Sequence, residues 1–157
     1  YMKKEFYLEK THNLEKKILL YQIYKTIFIE KLSKENFLKY INLSYIESFL
    51  FYNEHKVSIG IGIFSTVENE VEIVNFGIKE SFRKQGFGYY ILKNIIEIYK
   101  NNNKENIFLE VSTQNTYAIN LYVKLGFKIL NVREGYYKKN HGKKEDAYIM
   151  KKKTISS

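Results

Sequence analysis

Hydrophobic and polar positions along this chain follow two different periods, which predicts a mixture of strands and helices. Residues 71–78 are mainly β-branched and apolar and are bounded by polar residues, as expected for a buried strand. Residues 57–65 alternate isoleucines with glycines, which predicts a strand with something packed close to its glycine face. Farther along, four apolar residues recur at the spacing of an amphipathic helix: Phe87, Ile91, Ile95 and Ile98.

Applied to the whole chain, the same patterns predict eleven elements in the order β-α-α-β-β-β-α-β-α-β-β. The helices are expected at 13–29, 33–41, 88–100 and 116–125, with Thr11 or Asn13, Ser33 and Asn115 as N-caps. The strands are expected at 5–9, 44–52, 57–65, 71–78, 107–111, 127–132 and 147–151.

A helix separates strands 71–78 and 107–111, so these two strands should be parallel neighbours. Residues 133–146 are expected to form a long loop between the last two strands. We therefore expect an α/β (α+β) fold in one domain covering residues 1–157. Its mixed, mostly antiparallel sheet should have six to seven strands and about four flanking helices.

The turn Arg83-Lys84-Gln85-Gly86-Phe87-Gly88 lies between a predicted strand and a predicted helix. Two glycines let backbone N–H groups approach an anion, and the start of the helix adds the positive end of its dipole. A dinucleotide fingerprint requires a third glycine where this chain has Ile91, and the P-loop pattern is absent. What remains is the pattern R-x-x-G-x-G, which indicates a diphosphate-binding turn. On this turn alone, an ordinary glycine-containing strand-to-helix turn with surface cations explains the residues equally well.

The amino-acid composition excludes several kinds of catalytic and metal-binding site. None of the 157 residues is cysteine, which excludes disulfides, thiolate metal sites and an acyl-cysteine intermediate, and the three histidines have no zinc-site spacing. No apolar run is long enough to span a membrane and no secretory leader is visible, so we expect a cytoplasmic protein without a metal. Tyr1 precedes Met2 and is interpreted as a residue added ahead of the native start.

The net charge of +9 raises the question of nucleic-acid binding. Only Arg83 and Arg133 are arginines, so 24 of the 26 cationic residues are lysines, and these are spread along the chain. A solvated lysine-rich surface explains this pattern, and direct nucleic-acid binding is not predicted.

Several spaced motifs make the sequence similar to a known family. The turn at Arg83 resembles the acetyl-CoA pyrophosphate loop of the GNAT superfamily of N-acetyltransferases. Farther on, the chain reads Leu-Glu-Val at 109–111, Leu-Tyr at 121–122, Gly-Phe at 126–127, Tyr-Tyr at 136–137 and Glu-Asp-Ala at 145–147. From about Val57 to Met150 it resembles the bacterial ribosomal-protein alanine N-acetyltransferases of the RimI type.

This resemblance implies transfer of the acetyl group of acetyl-CoA to the N-terminal α-amine of a protein by direct attack. The expected acceptor is a small-subunit ribosomal protein that begins with alanine. Glu110 and Tyr122 match the family positions of the general base and the general acid. An α-amine has a pKa near about 8, so a carboxylate base is able to supply its neutral form.

The resemblance also assigns binding residues. Glu145 and Asp146 are expected to order the loop or to receive a substrate charge, although solvation at the end of a strand explains them equally well. Arg133 is a candidate partner for one of these two carboxylates. Tyr136 and Tyr137 lie on the segment that closes over the peptide in this family, although packing beneath the loop explains them equally well. The expected contacts of acetyl-CoA are Phe76, Gly77, Ile78, Arg83, Lys84, Gln85, Gly86, Phe87, Gly88, Tyr89 and Asn115.

One difference from the family pattern leaves the identity of the acetyl acceptor undecided. Residues 28–33 stand where the family has a Pro-Trp-Ser segment, and the chain contains neither Pro nor Trp. Ser33 retains the capping role, but the aromatic wall must come from other residues. Acetylation of a small amine, a polyamine or a lysine side chain is therefore an alternative. A module that binds acyl-CoA or RNA without catalysis is a third interpretation.

Overall fold

The structure is a computed structural model that describes residues 4–29, 31–138 and 144–155. Its helices are α1 (Leu14–Ile27), α2 (Lys34–Ile41), α3 (Phe87–Asn101) and α4 (Thr116–Lys124), and a 3₁₀ turn covers Glu80–Phe82. Its strands are β1 (Phe6–Lys10), β2 (Ile46–Asn53), β3 (Ser58–Val67), β4 (Glu70–Ile78), β5 (Asn106–Ser112), β6 (Lys128–Lys138) and β7 (Lys144–Lys153).

All seven strands join one sheet in the order β1-β2-β3-β4-β5-β7-β6. Every neighbouring pair is antiparallel except β4 and β5, which are parallel, as the intervening helix predicted. The order of elements along the chain and the mixed, mostly antiparallel sheet with four α-helices are confirmed. The 3₁₀ turn was not predicted.

The predicted long loop at 133–146 is wrong. β6 continues to Lys138 and β7 begins at Lys144, so residues 133–138 and 144–146 belong to two paired strands, called the β6–β7 hairpin below. Residues 139–143 of the predicted loop lie outside the described residues. Gly135 has a φ of 62°, and the register between β6 and β7 shifts between Arg133 and Tyr137. These irregularities break the two-residue alternation that reveals a strand in sequence, while pairing with β7 maintains the strand.

The helix boundaries agree with the predicted caps. Asn13, Ser33 and Asn115 each accept a hydrogen bond from a backbone N–H three residues later, which satisfies a donor that the first turn leaves open. α1 ends at Ile27 rather than at residue 29, because Phe28 adopts an extended backbone with φ −104° and ψ 139°.

Two apolar cores lie on opposite faces of the sheet. The first core packs α3 and α4 against the sheet and includes Ile91, Leu92 and Leu109. The second core packs α1 and α2 against the other face and includes Leu20 and Phe37. Residues of β4 and β5 alternate between these faces, so the face that each side chain occupies follows from its position in the strand.

Strand β3 shows why its two glycines are needed. A Cβ on Gly62 would lie 2.8 Å from the Phe51 ring and 2.7 Å from the Phe64 ring, so rings do close over the glycine face, as predicted. Ile59, however, does not share a face with Ile61 and Ile63. A register shift between β2 and β3 turns Ile59 into the first core, whereas the other two isoleucines lie in the second core.

The site is positioned by the separation of strands β4 and β5, which stop pairing before either strand ends. Their parallel pairing runs from Glu70 with Asn106 to Ile73 with Leu109 and stops there, although both strands continue. A bulge accompanies this end point: Asn75 and Ile73 pair with neighbouring residues of β3, so Val74 has no partner there. Bulges bend a strand, and this bend accompanies the separation of β4 from β5.

We predict that Gly60→Ala destabilises the sheet beside this opening. The new Cβ would lie 2.4 Å from the backbone oxygen of Gly77, and a backbone atom is unable to rotate away. The expected loss is about 1–3 kcal/mol in the free energy of unfolding, measured by urea denaturation. Gly88→Ala is the control, because its Cβ would be in ordinary contact at 3.6 Å from Leu121. Equal stability of the two variants would contradict this account.

Candidate active site

A cleft of about 480 Å³ opens where β4 and β5 part. Its residues come from both faces of the sheet: Phe28 follows α1 on one face, whereas Leu121 and Tyr122 belong to α4 on the other. Only an opening in the sheet allows one cleft to reach both sets. Ten of the predicted site residues line it: Phe76, Gly77, Ile78, Arg83, Lys84, Gly86, Phe87, Gly88, Asn115 and Tyr122.

The start of α3 forms one end of this cleft and is open to an anion. Gly86 is its N-cap with a φ of 88°, a conformation that suits glycine, and it offers no capping side chain. No acidic residue lies in the first turn of α3, whereas α1 has Glu15 and α2 has Glu35 there. The backbone N–H groups and the positive dipole end of α3 are therefore well suited to a phosphate group.

The side chain of Arg83 connects the glycine turn to β4. Its Nε donates a 2.8 Å hydrogen bond to the carbonyl oxygen of Ile78, the last residue of β4. Lys84 lies beside it with a φ of 61°, also in the left-handed region. The turn thus places two cationic side chains at the cleft.

Two predicted contact residues of the turn lie outside the cleft lining. The Gln85 side chain is exposed, and its Nε2 donates a 3.4 Å hydrogen bond to the Ser81 carbonyl. The half-buried Tyr89 ring packs edge-on against Tyr90, with 5.2 Å between the ring centroids.

The α4 side of the cleft carries Asn115 and Tyr122. The Asn115 side chain accepts a 3.2 Å hydrogen bond from the N–H of Ala118 and so caps α4. Tyr122 is 8% exposed and packs edge-on against Phe127, with 5.7 Å between the ring centroids. Packing thus fixes the Tyr122 ring at the cleft wall.

Glu110 lies one residue beyond the last β4–β5 pair, on the face of the sheet that carries α1 and α2. Its carboxylate accepts a hydrogen bond from Arg133 of β6, with 2.5 Å between Oε1 and Nη1. Arg133 in turn lies over the Tyr136 ring, 4.6 Å from its centroid. The expected pairing of Arg133 with Glu145 or Asp146 is therefore wrong, because β6 places the guanidinium across from β5.

Glu145 instead attaches the β6–β7 hairpin to β5, and Asp146 makes a hydrogen bond within the hairpin. Glu145 accepts a 2.5 Å hydrogen bond from the Ser112 hydroxyl, and Asp146 accepts one of 2.9 Å from the N–H of Gly135. This arrangement fits the expected role of ordering this segment. The backbone of Tyr137 pairs with Glu145, but the Tyr137 side chain lies outside the described part of the structure.

Titratable groups of four elements interact around Glu110: β4, β5, β6 and α2. Burial, followed by the negative charge of Glu110, raises the pKa of Glu72 on β4, while Arg133 opposes this rise. A hydrogen bond to Glu110, followed by burial, raises the pKa of Tyr136. Burial and then the charge of Glu72 raise the pKa of Tyr40 on α2. Two carboxylates, one guanidinium and two phenols therefore share this region.

Comparisons with known proteins agree with this architecture. The sequence profile of the Acetyltransferase (GNAT) family matches residues 18–127. The chain belongs to this family. The [ribosomal protein bS18]-alanine N-acetyltransferase of Haemophilus influenzae is 33% identical over 112 residues, covering 71% of each chain.

Solved structures share the GNAT fold. The crystal structure of the ribosomal-protein-S18-alanine N-acetyltransferase from Escherichia coli superimposes with a TM-score of 0.86 at 23% identity, covering 98% of this chain and 96% of that one. The spermidine N-acetyltransferase from Vibrio cholerae, in complex with CoA and spermine, superimposes with a TM-score of 0.80 at 17% identity, over 95% of each chain.

This GNAT protein is an acetyltransferase, and acetyl-CoA is the co-substrate of the family. The cleft fits such a ligand: the uncapped start of α3 and the cations of the turn suit the pyrophosphate. Beyond Ile73, the edge of β4 that faces away from β3 is not paired with β5. Apart from the Ile78 carbonyl, which accepts a hydrogen bond from Arg83, the backbone groups of this edge suit the pantetheine amides. Within the described residues, no group of three or more carboxylate or imidazole side chains is placed to hold a metal ion.

The structure also shows cleft residues that sequence reasoning missed. Ile27 and Phe28 line the cleft at the end of α1, and the Phe28 ring lies 5.5 Å from that of Tyr24. The Phe28 ring supplies an aromatic surface in the cleft, at the segment that lacks Pro-Trp-Ser, and the buried Tyr24 ring packs against it. Residue 30 of this segment lies outside the described residues. The sequence signal for this aromatic surface was the four-residue spacing of Tyr24 and Phe28 at the end of the first predicted helix. In the described part of the chain, no helix has the length and apolarity to cross a membrane.

We predict that Gly88→Asp weakens acetyl-CoA binding at least about tenfold, because a carboxylate in the first turn of α3 repels the pyrophosphate. The dissociation constant is measured by isothermal titration with CoA. Gly88→Ala is again the control, since it adds a methyl group in ordinary contact without charge. Unchanged affinity in Gly88→Asp would exclude the start of α3 as the pyrophosphate site.

Proposed function

We propose that this acetyltransferase acetylates the N-terminal α-amine of a protein, with a small-subunit ribosomal protein beginning with alanine as the first acceptor to test. The similarity to the Haemophilus influenzae alanine N-acetyltransferase supports this acceptor class. The structural observation that carries this proposal is the cleft, which joins the glycine turn to Tyr122. Glu110 is not among the lining residues of the cleft and lies one residue beyond the last β4–β5 pair.

In the proposed reaction, Glu110 accepts the proton of the α-amine, directly or through water. The neutral amine attacks the acetyl carbonyl carbon, a C–N bond forms, and the bond from that carbon to sulfur breaks. Tyr122 donates its hydroxyl proton toward the departing sulfur. The acetyl group is supplied by acetyl-CoA, and orientation of both substrates in the cleft lowers the entropic part of the barrier.

The acceptor is tested by release of CoA thiol from acetyl-CoA in the presence of defined peptides. A peptide with a free N-terminal alanine should be acetylated at its α-amine, as mass spectrometry would show. A second peptide with a blocked N-terminus and an internal lysine tests side-chain acetylation, and spermidine tests polyamines. Turnover of only the blocked peptide or of spermidine would overturn the proposal in favour of the corresponding acceptor.

We predict that Tyr122→Phe and Glu110→Gln each lower kcat by about 10²- to 10⁴-fold, the range typical of general acid–base groups. Acetyl-CoA affinity, measured separately by titration, should change little because neither substitution alters the glycine turn. Wild-type kcat in either variant would remove that residue from the mechanism. Tyr117→Phe is a matched control for the phenol, since Tyr117 lines the same cleft on α4 and is 59% exposed.

A further inference from the structure

The connection between α1 and α2 borders the cleft on the face of the sheet that also carries Glu110. α1 ends at Ile27, and Phe28 lines the cleft at the start of this connection. A Cβ on Gly77 of β4 would lie 3.2 Å from the Phe28 ring, so this ring is packed directly against the strand. An amine that approaches Glu110 on this face therefore enters beside the α1–α2 connection.

The far end of the connection is held by phenol groups of α1. The N–H of Leu32 donates a 3.0 Å hydrogen bond to the hydroxyl oxygen of Tyr24, a side chain that is only 5% exposed. The hydroxyl of Tyr21 donates a longer bond, of 3.5 Å, to the carbonyl oxygen of Leu32. Both backbone polar groups of Leu32 are thus bonded to side chains that lie three residues apart on α1.

The ring of Tyr24 also supports the start of the connection. Its centroid lies 5.5 Å from that of Phe28 and 4.7 Å from that of Phe37 on α2. The N–H of Phe28 donates a 3.1 Å hydrogen bond to the Tyr24 carbonyl oxygen. Tyr24 therefore contacts both ends of the connection, because its ring packs against Phe28 and its hydroxyl accepts from Leu32.

The backbone of this connection depends on such contacts for its shape. The chain contains no proline, so no residue of the connection has its φ fixed covalently. Ser33 fixes the start of α2, since its hydroxyl accepts a 3.2 Å hydrogen bond from the N–H of Asn36. Between Phe28 and this cap, Leu32 is the residue that the α1 side chains hold in place.

We propose that Tyr24 is a positioning residue for the acceptor. Its hydroxyl holds the α1–α2 connection, and with it the acceptor side of the cleft, in the shape that receives the substrate amine. This inference rests on the proposed acetylation of an N-terminal amine. Tyr24 is not among the lining residues of the cleft, so it acts through Leu32 and Phe28 rather than on the reacting atoms.

The first test measures the hydrogen bond itself and does not depend on turnover. Exchange of the Leu32 amide hydrogen is followed by NMR in wild type, Tyr24→Phe and the control Tyr99→Phe. Removal of the Tyr24 hydroxyl should speed this exchange roughly tenfold, the scale of one lost hydrogen bond. Unchanged exchange in Tyr24→Phe would show that the hydroxyl does not hold the connection and would overturn the inference.

Tyr99→Phe is the matched control because it removes the same atom from an equally buried ring. Tyr99 lies in the first core, on the other face of the sheet, and its hydroxyl has no hydrogen-bond partner among the described residues. This variant should leave the Leu32 amide unchanged. Faster exchange of that amide in Tyr99→Phe would show a general loosening of the protein instead of a local effect of Tyr24.

The second test separates acceptor binding from cofactor binding. Tyr24→Phe should raise the KM for the peptide with a free N-terminal alanine about 3- to 10-fold and change kcat less. The dissociation constant of CoA should change little, since the glycine turn is unaltered. Tyr21→Phe should have a smaller effect on KM because its bond to Leu32 is longer. A wild-type KM in Tyr24→Phe, or the same rise in Tyr99→Phe, would overturn the positioning role.

Failure of the proposed function would give a different result. Turnover of only the blocked peptide or of spermidine would replace the alanine peptide as acceptor, and the KM comparison would then use that acceptor. A rise in KM confined to Tyr24→Phe would support the positioning role with the new acceptor. Equal KM values in wild type and Tyr24→Phe would overturn this role whichever acceptor is used.

Discussion

The end of the β4–β5 ladder is the constraint on which the site depends. While the strands pair, from Glu70 with Asn106 to Ile73 with Leu109, their backbone groups satisfy one another and the sheet is closed. Beyond that point β4 pairs only with β3, and the opening connects the two faces of the sheet. The bulge at Val74 accompanies this separation. The glycine turn and α4 line this opening, and Glu110 lies one residue beyond the last β4–β5 pair.

Sequence patterns anticipated most of the fold because its elements have strong local signals. The isoleucines of α3, the strand of residues 71–78 and the capping residues Asn13 and Ser33 each obey a simple periodic or hydrogen-bonding rule. The β6–β7 hairpin escaped detection because Gly135 and the register shift beside Arg133 disrupt its alternation. Its stability as a strand depends on a partner distant in sequence, which local patterns do not report.

The candidate site, like the fold, was only partly predictable from local sequence. The glycine turn and Tyr122 could be predicted, since short motifs fix them, and the structure places both at one cleft. The pairing of Arg133 with Glu110 could not be predicted from the sequence. It depends on the order of strands β5, β7 and β6 and on the register of β6.

The central claim is that acetyl-CoA lies in the opening of the sheet with its pyrophosphate at the start of α3 and its sulfur beside Tyr122. A crystal structure of the protein with bound CoA tests this most directly. The account predicts phosphate oxygens within hydrogen-bond distance of the first backbone N–H groups of α3 and a sulfur atom within about 4 Å of the Tyr122 hydroxyl. A CoA molecule bound elsewhere, or one whose sulfur lies away from Tyr122, would contradict it.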